Sequence, residues 1–375
     1  MALDAGRLQF EGRSDIAKYL GVKDSSRVIF TSSCTAAINL VLNGMVAAGR
    51  FQSGDSVLVT SFEHNAVMRP LTAIALRLNL NIVVVPPVIA GLLPGQLGAL
   101  VDLKILQDLL DLHKPALCVF TRASNVSGQI LELEPVASLL EKRGVPLMID
   151  GAQSAGHVVE NLAASAAVSF WLTSGHKGLL GPSGIGLLYI KDGEDLGLTC
   201  FGGTGSNSDS FAMPEALPDR FEPGSAAPHL VAGLAAGVAF VNAQANALHQ
   251  NQESLSLKFL EGLANLDKKK SAGAIDLSGR PDWLFEASEG ERFKSLKSFL
   301  PVFSLSFAKL GITPDRVALK LDQDFDIAAR PGLHCALLAH QTLKTSEQGL
   351  LRISFGAFTT ASEVDVLLSA LNTIL

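Results

Sequence analysis

The sequence predicts an α/β protein with a mainly parallel, seven-stranded sheet in a large N-terminal domain and a smaller α/β domain after it. Three observations predict this. Short β-rich runs recur from Val28 to Ile190 with helical segments between them. These runs are apolar throughout rather than alternating, which is the pattern of strands covered on both faces. Over 375 residues, 48% are hydrophobic and only 18% are charged, enough apolar material for two packed units.

Taken in order, the predicted strands are Val28–Thr31, Ser56–Thr60, Asn81–Val85, Ala116–Phe120, Pro146–Asp150, Phe170–Ser174 and Gly184–Ile190. The segments between them read as crossover helices, which parallel strands require. A long helical stretch then runs from Ala232 to Leu266, followed by a polar segment from about Lys268 to Arg292. Within that segment Lys268-Lys269-Lys270 reads as a solvated loop. A second, smaller α/β region follows from Pro301 to Leu375. The domain expectation is therefore residues 1–240 for the large unit and 241–375 for the small one.

Charge and composition exclude several function classes. A net charge of −6 offers nothing to nucleic acid or to an acidic membrane surface. The longest apolar stretch, near Leu230 to Val241, reads as too short to span a bilayer. Met1-Ala2-Leu3-Asp4 starts neither a basic n-region nor a signal h-region, so a cytoplasmic location is expected. Cys34, Cys118, Cys200 and Cys335 are far apart and show no CxxC spacing, which argues against a metal site or a disulfide framework. Cys118 reads as a small buried hydrophobe; Cys200 receives no role.

In sheets of this type ligands collect at the carboxyl ends of strands. Thr35, His64, Asn125, Asp150 and Lys177 each follow a predicted strand end. The chemistry best matched is that of pyridoxal 5'-phosphate (PLP). It needs a lysine amine for a Schiff base (Lys177), an acid against its pyridinium nitrogen (Asp150) and donors for its phosphate (Ser174, His176). Cys34 and Thr35 open a helix after a strand, which makes either an anion site or an ordinary Ser/Thr-rich cap. His64 could stack on the cofactor ring and move protons, or be a structural histidine. Asn125 could donate to the cofactor's phenolic oxygen or belong to a turn, and Gln153 could bond the same oxygen from the other side.

Asp150–Gln153, Ser174–Lys177, Gly178–Gly184, Gly202–Ser206 and Arg220–Ser225 together resemble the class V aminotransferases, fold-type I PLP enzymes. Within them the chain resembles the cysteine desulfurase and selenocysteine lyase branch. The resemblance implies that Ser225 reaches the phosphate of the other subunit's cofactor, hence a homodimer. It implies that Cys335, in Arg330-Pro331-Gly332-Leu333-His334-Cys335-Ala336, takes sulfur from L-cysteine as a persulfide, releases L-alanine and passes the sulfur to an acceptor protein. Arg352 would pair with the substrate carboxylate, Arg330 and Asn125 would also contact substrate, and Lys177 and His64 would be catalytic. L-selenocysteine is the alternative substrate. Another aminotransferase, epimerase or lyase reaction, or an impaired PLP-binding scaffold, is the alternative function. Three departures stand out. Met1–Glu11 lacks the family's N-terminal pocket loop, so that segment is expected to be missing. Ser225-Ala226-Ala227 replaces a Thr-x-Asn pattern, and Cys34 stands where threonine is frequent.

Overall fold

Val28–Thr31 (β1), Ser56–Thr60 (β2), Asn81–Val85 (β3), Leu117–Thr121 (β4), Leu147–Asp150 (β5), Val168–Ser174 (β6) and Gly186–Ile190 (β7) form one sheet in the order β1-β7-β6-β5-β4-β2-β3. The computed structural model describes residues 2–88, 99–165, 167–270, 273–279, 290 and 296–375. From β6 through β5, β4 and β2 to β3 every pairing is parallel. Only β7 is reversed against both of its neighbours. The expectation of a mainly parallel seven-stranded sheet holds, with strand bounds moved by one or two residues at several ends. Because β7 alone is reversed, the carboxyl ends of β1, β2, β4, β5 and β6 share one edge of the sheet.

Both faces of the sheet are covered. On one face Leu58, Phe120, Ile149, Trp171 and Leu187 pack with Ile16 of α1 (Ala2–Tyr19) and Leu20 just after it, and with residues of α4 (Leu103–His113) and α5 (Leu133–Glu141). On the other, Val57, Val59, Val119, Met148 and Leu172 pack with α2 (Cys34–Ala47) and α3 (Asn65–Leu78). Burial on both sides is why these strands carry no alternation in the sequence.

Helix α6 (Pro228–Lys270) links the two domains. Val231, Leu234 and Val238 near its start join the large core, whereas Leu255, Phe259 and Leu263 join the small one. It extends beyond the predicted Ala232–Leu266 at both ends. By length and composition it is long and apolar enough to cross a membrane, unlike the shorter Leu230–Val241 stretch on which that expectation was drawn. Lys268-Lys269-Lys270 corrects another expectation: it is the last turn of this helix rather than a loop. Three cations at a helix C-terminus are placed favourably against the dipole. Of the polar segment, residues 271–272, 280–289 and 291–292 lie outside the described residues.

The smaller domain carries a sheet in the order β10-β11-β9-β8, from Asp276–Leu277 (β8), Val302–Ser306 (β9), Arg330–Gly332 (β10) and Leu350–Ser354 (β11). Its helices include α7 (Pro314–Phe325), α8 (Leu337–Thr342) and α9 (Ala361–Ile374). Phe259 of α6 sits 4.9 Å from Phe303 and 5.4 Å from Phe355 in the centre of its core.

Candidate active site

Asp150 ends β5 at the carboxyl edge, 5% exposed, opposite Thr121 of β4 and Leu172 of β6. A carboxylate at such a depth needs donors. Its Oδ1 accepts from the Ala152 N–H at 2.9 Å and faces the Cys34 Sγ–H at 3.6 Å. No donor among the described residues reaches the other oxygen, which is therefore the one left for a ring nitrogen. Cys34 begins α2, whose cap is Ser33, with its side chain accepting from the Ala36 N–H. Burial, and then the negative charge of Asp150, push the Cys34 thiol well above its ordinary range, so it stays a protonated donor. The start of α2 can lie this close to β7 because Gly186 has no side chain: a Cβ there would meet Ser33 C at 2.5 Å. Thr35, one residue further along, is exposed at the same helix start.

His64 caps α3. Its Nδ1 accepts from the Ala66 N–H at 3.0 Å, so the proton of the neutral ring is on Nε2. Burial lowers its pKa first; Asp150 opposes this, while Lys177, Arg330 and Arg69 add to it. The ring is thus held neutral, with Nε2 as the one nitrogen free to handle a proton. Beneath it lies a residue to which sequence reasoning gave no role. Glu63 is completely buried, its Oε1 accepting from Thr60 Oγ1 and from the Thr121 N–H, each at 2.7 Å. Its Oε2 is buried without a hydrogen-bond partner. Burial, with Asp150 adding, pushes this carboxyl up to about 8, so it is a neutral acid at neutral pH. In the sequence, Glu63 beside His64 after a strand reads as a polar loop; only its position between β2 and β4 reveals the difference.

Lys177 sits half-buried on the turn that follows β6. The turn is closed by Gly175 N–H to Ile185 O and Gly181 N–H to Gly175 O, both 2.9 Å. The lysine's charge acts on both Cys34 and His64, which makes these three residues members of one cluster with Asp150. Ser174 is buried at the end of β6, His176 is exposed on the turn, and Gln153 is half-buried just after β5. These three side chains make no hydrogen bond among the described residues.

The small domain delivers the rest. Arg330 and Arg352 are directly paired across β10 and β11. Two like charges so placed repel unless an anion lies between them. Burial, then Arg330, lowers the Arg352 pKa, and Arg352 Nη1 donates to Asn125 O at 3.2 Å. Arg330 Nη2 lies 3.4 Å from Cys335 Sγ, on an exposed thiol. The Cys335 carbonyl accepts from the Asn65 N–H at 2.7 Å, and Asn125 Nδ2 donates to the His334 carbonyl at 2.8 Å. Asn125 is thus engaged by the thiol's own loop. The buried His334 ring is pushed down to about 3, by burial first and then by Arg352, so it is no base at neutral pH.

Ser225 is not brought into this cluster. It is exposed in a groove of about 1700 Å³ that also runs past Thr31, Ser32, Gly184 and Gly203. One flank of that groove is fixed by Arg13 of α1, which grips both oxygens of Glu222 at 2.7 and 2.8 Å and reaches the Val28 carbonyl. Among the described residues no group of three or more His, Cys, Asp or Glu side chains is placed to hold a metal ion.

The site fits the pyridine ring and amine chemistry expected from the sequence: a buried acid with one uncommitted oxygen, a neutral imidazole and a lysine act on one another at one sheet edge. Known proteins agree. The chain is 29% identical over 373 residues to a probable cysteine desulfurase of Methanothermobacter thermautotrophicus, covering 98% of this chain and 84% of that protein. It is also 29% identical over 372 residues to a cysteine desulfurase of Serratia proteamaculans, covering 96% and 81%. Among solved structures, the apo cysteine desulfurase of Thermococcus onnurineus superposes with a TM-score of 0.83 at 27% identity, covering 99% of this chain and 84% of that one. The model of the aminotransferase class-V family matches residues 2–279 and 297–367, and the chain belongs to that family.

Proposed function

We propose that this chain is a PLP-dependent cysteine desulfurase that converts L-cysteine to L-alanine and carries the sulfur as a persulfide on Cys335. The observation that carries the reading is the meeting of an exposed thiol, Cys335, with Arg330 at 3.4 Å, on a loop hydrogen-bonded to Asn65 and Asn125 beside the His64–Asp150–Lys177 cluster. The names of the two relatives above, a probable cysteine desulfurase and a cysteine desulfurase, support it.

Asp150 would hold the ring nitrogen of PLP and Lys177 would bind its carbonyl carbon. Ser174, His176 and Thr35 would serve the phosphate, and Cys34 would act as a donor to Asp150. Gln153 would reach the phenolic oxygen. Bound PLP supplies the electron sink for carbon when the C–S bond breaks. Arg352, with Arg330, receives the substrate carboxylate as a bidentate partner. Cys335 Sγ gives an electron pair to the substrate sulfur; an S–S bond forms, the C–S bond breaks, and the carbon left behind gains a proton. Lys177 Nζ and His64 Nε2 are the groups that move protons there. A second copy of the chain supplies Ser225 to the partner's phosphate, and a sulfur-acceptor protein removes the persulfide sulfur. L-Selenocysteine is the alternative substrate for the same groups.

The test is alanine formation from L-cysteine by the PLP-saturated protein beside its Cys335→Ala variant. Alanine from the parent and almost none from the variant is the expected result. Turnover that survives in Cys335→Ala overturns the persulfide route and leaves another class V reaction.

A further inference from the structure

Cys335 sits on strained backbone. His334 and Cys335 are consecutive left-handed residues, with φ of 51° and 59°, and neither is glycine. Such conformations are unfavourable for residues with a Cβ and persist where neighbours hold them. Two neighbours do so here. The Asn65 N–H, a free donor at the start of α3, takes the Cys335 carbonyl at 2.7 Å. The Asn125 side chain, 7% exposed, takes the His334 carbonyl at 2.8 Å. A carbonyl can only accept, so it is the amide nitrogen of Asn125 that faces it. The Asn125 carbonyl in turn accepts from Arg352 at 3.2 Å. A single residue after β4 therefore grips both the loop and the arginine strand of the small domain.

We infer that Asn125 is a positioning residue for the Cys335 thiol: its side-chain amide latches the His334 carbonyl, maintains the left-handed pair, and so keeps Sγ against Arg330 and near Arg352. The meaning of this latch for turnover rests on the proposed desulfurase function, but its geometry is measurable without substrate. The contact at stake is the 3.4 Å approach of Arg330 Nη2 to Sγ, together with the charge of Arg352, which Cys335 shares. Without the latch, residues 333–336 relax towards ordinary backbone and the thiol leaves its cationic surroundings.

The experiment compares alkylation of Cys335 by iodoacetate and by iodoacetamide, at low salt, in the full chain carrying Cys200→Ser. Cys335 is then the only exposed cysteine, since Cys34 and Cys118 are buried. The same thiolate attacks both reagents, so the ratio of the two rates isolates the attraction of nearby guanidinium groups for the anionic reagent. The parent ratio is expected to favour iodoacetate relative to a free thiol peptide, and Arg330→Gln is expected to lower it. Asn125→Ala and Asn125→Leu, the second being nearly isosteric and uncharged but without the donor, are each expected to lower it about threefold or more. Labelling at Cys118 reports unfolding, so only variants that leave Cys118 unlabelled are scored, and the isosteric variant guards against loss of the other. Ratios unchanged in the folded Asn125 variants overturn the latch. Absence of desulfurase activity, with the ratios behaving as expected, would refute the proposed function and leave the latch standing.

Discussion

Replacing Glu63 by Gln tests the electrostatics under the site. In the folded protein this carboxyl is pushed up to about 8 from an ordinary 4.5. The native state therefore binds the proton more tightly than the unfolded chain does. Stability from this group is complete below the unfolded value and declines as pH rises through the interval to about 8, then levels off. A displacement of that size corresponds to roughly 3–5 kcal/mol at full effect, using about 1.4 kcal/mol per pKa unit. The glutamine keeps the acceptor that Thr60 Oγ1 and the Thr121 N–H use, and it cannot ionise. Denaturant unfolding of parent and Glu63→Gln at about pH 5 and about pH 8.5 reads the difference. The variant is expected to gain on the parent by several kcal/mol between the two conditions. Because Cys34, Glu160 and the other buried groups are common to both proteins, the comparison isolates Glu63. Equal pH dependence in the two proteins would refute a buried neutral acid beside Asp150.

Two further outcomes follow from local geometry. Arg13→Ala strands Glu222, whose side chain is only 15% exposed, and should cost about 3 kcal/mol in unfolding free energy; partial recovery in Arg13→Ala/Glu222→Gln would separate the stranded charge from lost packing, and an unchanged midpoint would show that the pair is not formed. Gly156→Ala places a Cβ 2.0 Å from the Gly178 carbonyl at a φ of 86°. The backbone next to Lys177 must move, and spectrophotometric titration with PLP should show binding weakened by about tenfold or more, since even 1.4 kcal/mol has that effect; unaltered affinity would mean that the Lys177 turn tolerates displacement.

Much of this molecule is legible in its residue order, for physical reasons that act locally. Strands buried on both faces are apolar at successive positions, so the strands read at Pro146–Asp150 and Phe170–Ser174 are visible without knowledge of their neighbours, and form at Leu147–Asp150 and Val168–Ser174. Ligand-binding groups at the ends of parallel strands are equally visible, which is how His64, Asp150 and Lys177 could be picked out together. Local patterns also misled in places. The lysine run at 268–270 looks like loop because charge alone does not distinguish a helix end from a turn, and α1 carries no strong signal in its first residues.

What only the tertiary structure decided depends on pairs far apart in the chain. Asn125 offered itself from the sequence as a cofactor ligand, and only the tertiary structure brings its amide to the His334 carbonyl, 209 residues away. Arg330 and Arg352 become a like-charged pair only through the register of two antiparallel strands. Glu63 becomes a neutral acid only when β2 and β4 close around it. Hydrophobic periodicity and strand-end chemistry are properties of short stretches, so the sequence by itself determined the fold class and the family. Ionisation, latching and charge pairing depend on which distant groups share a low-dielectric space, and folding alone settles that.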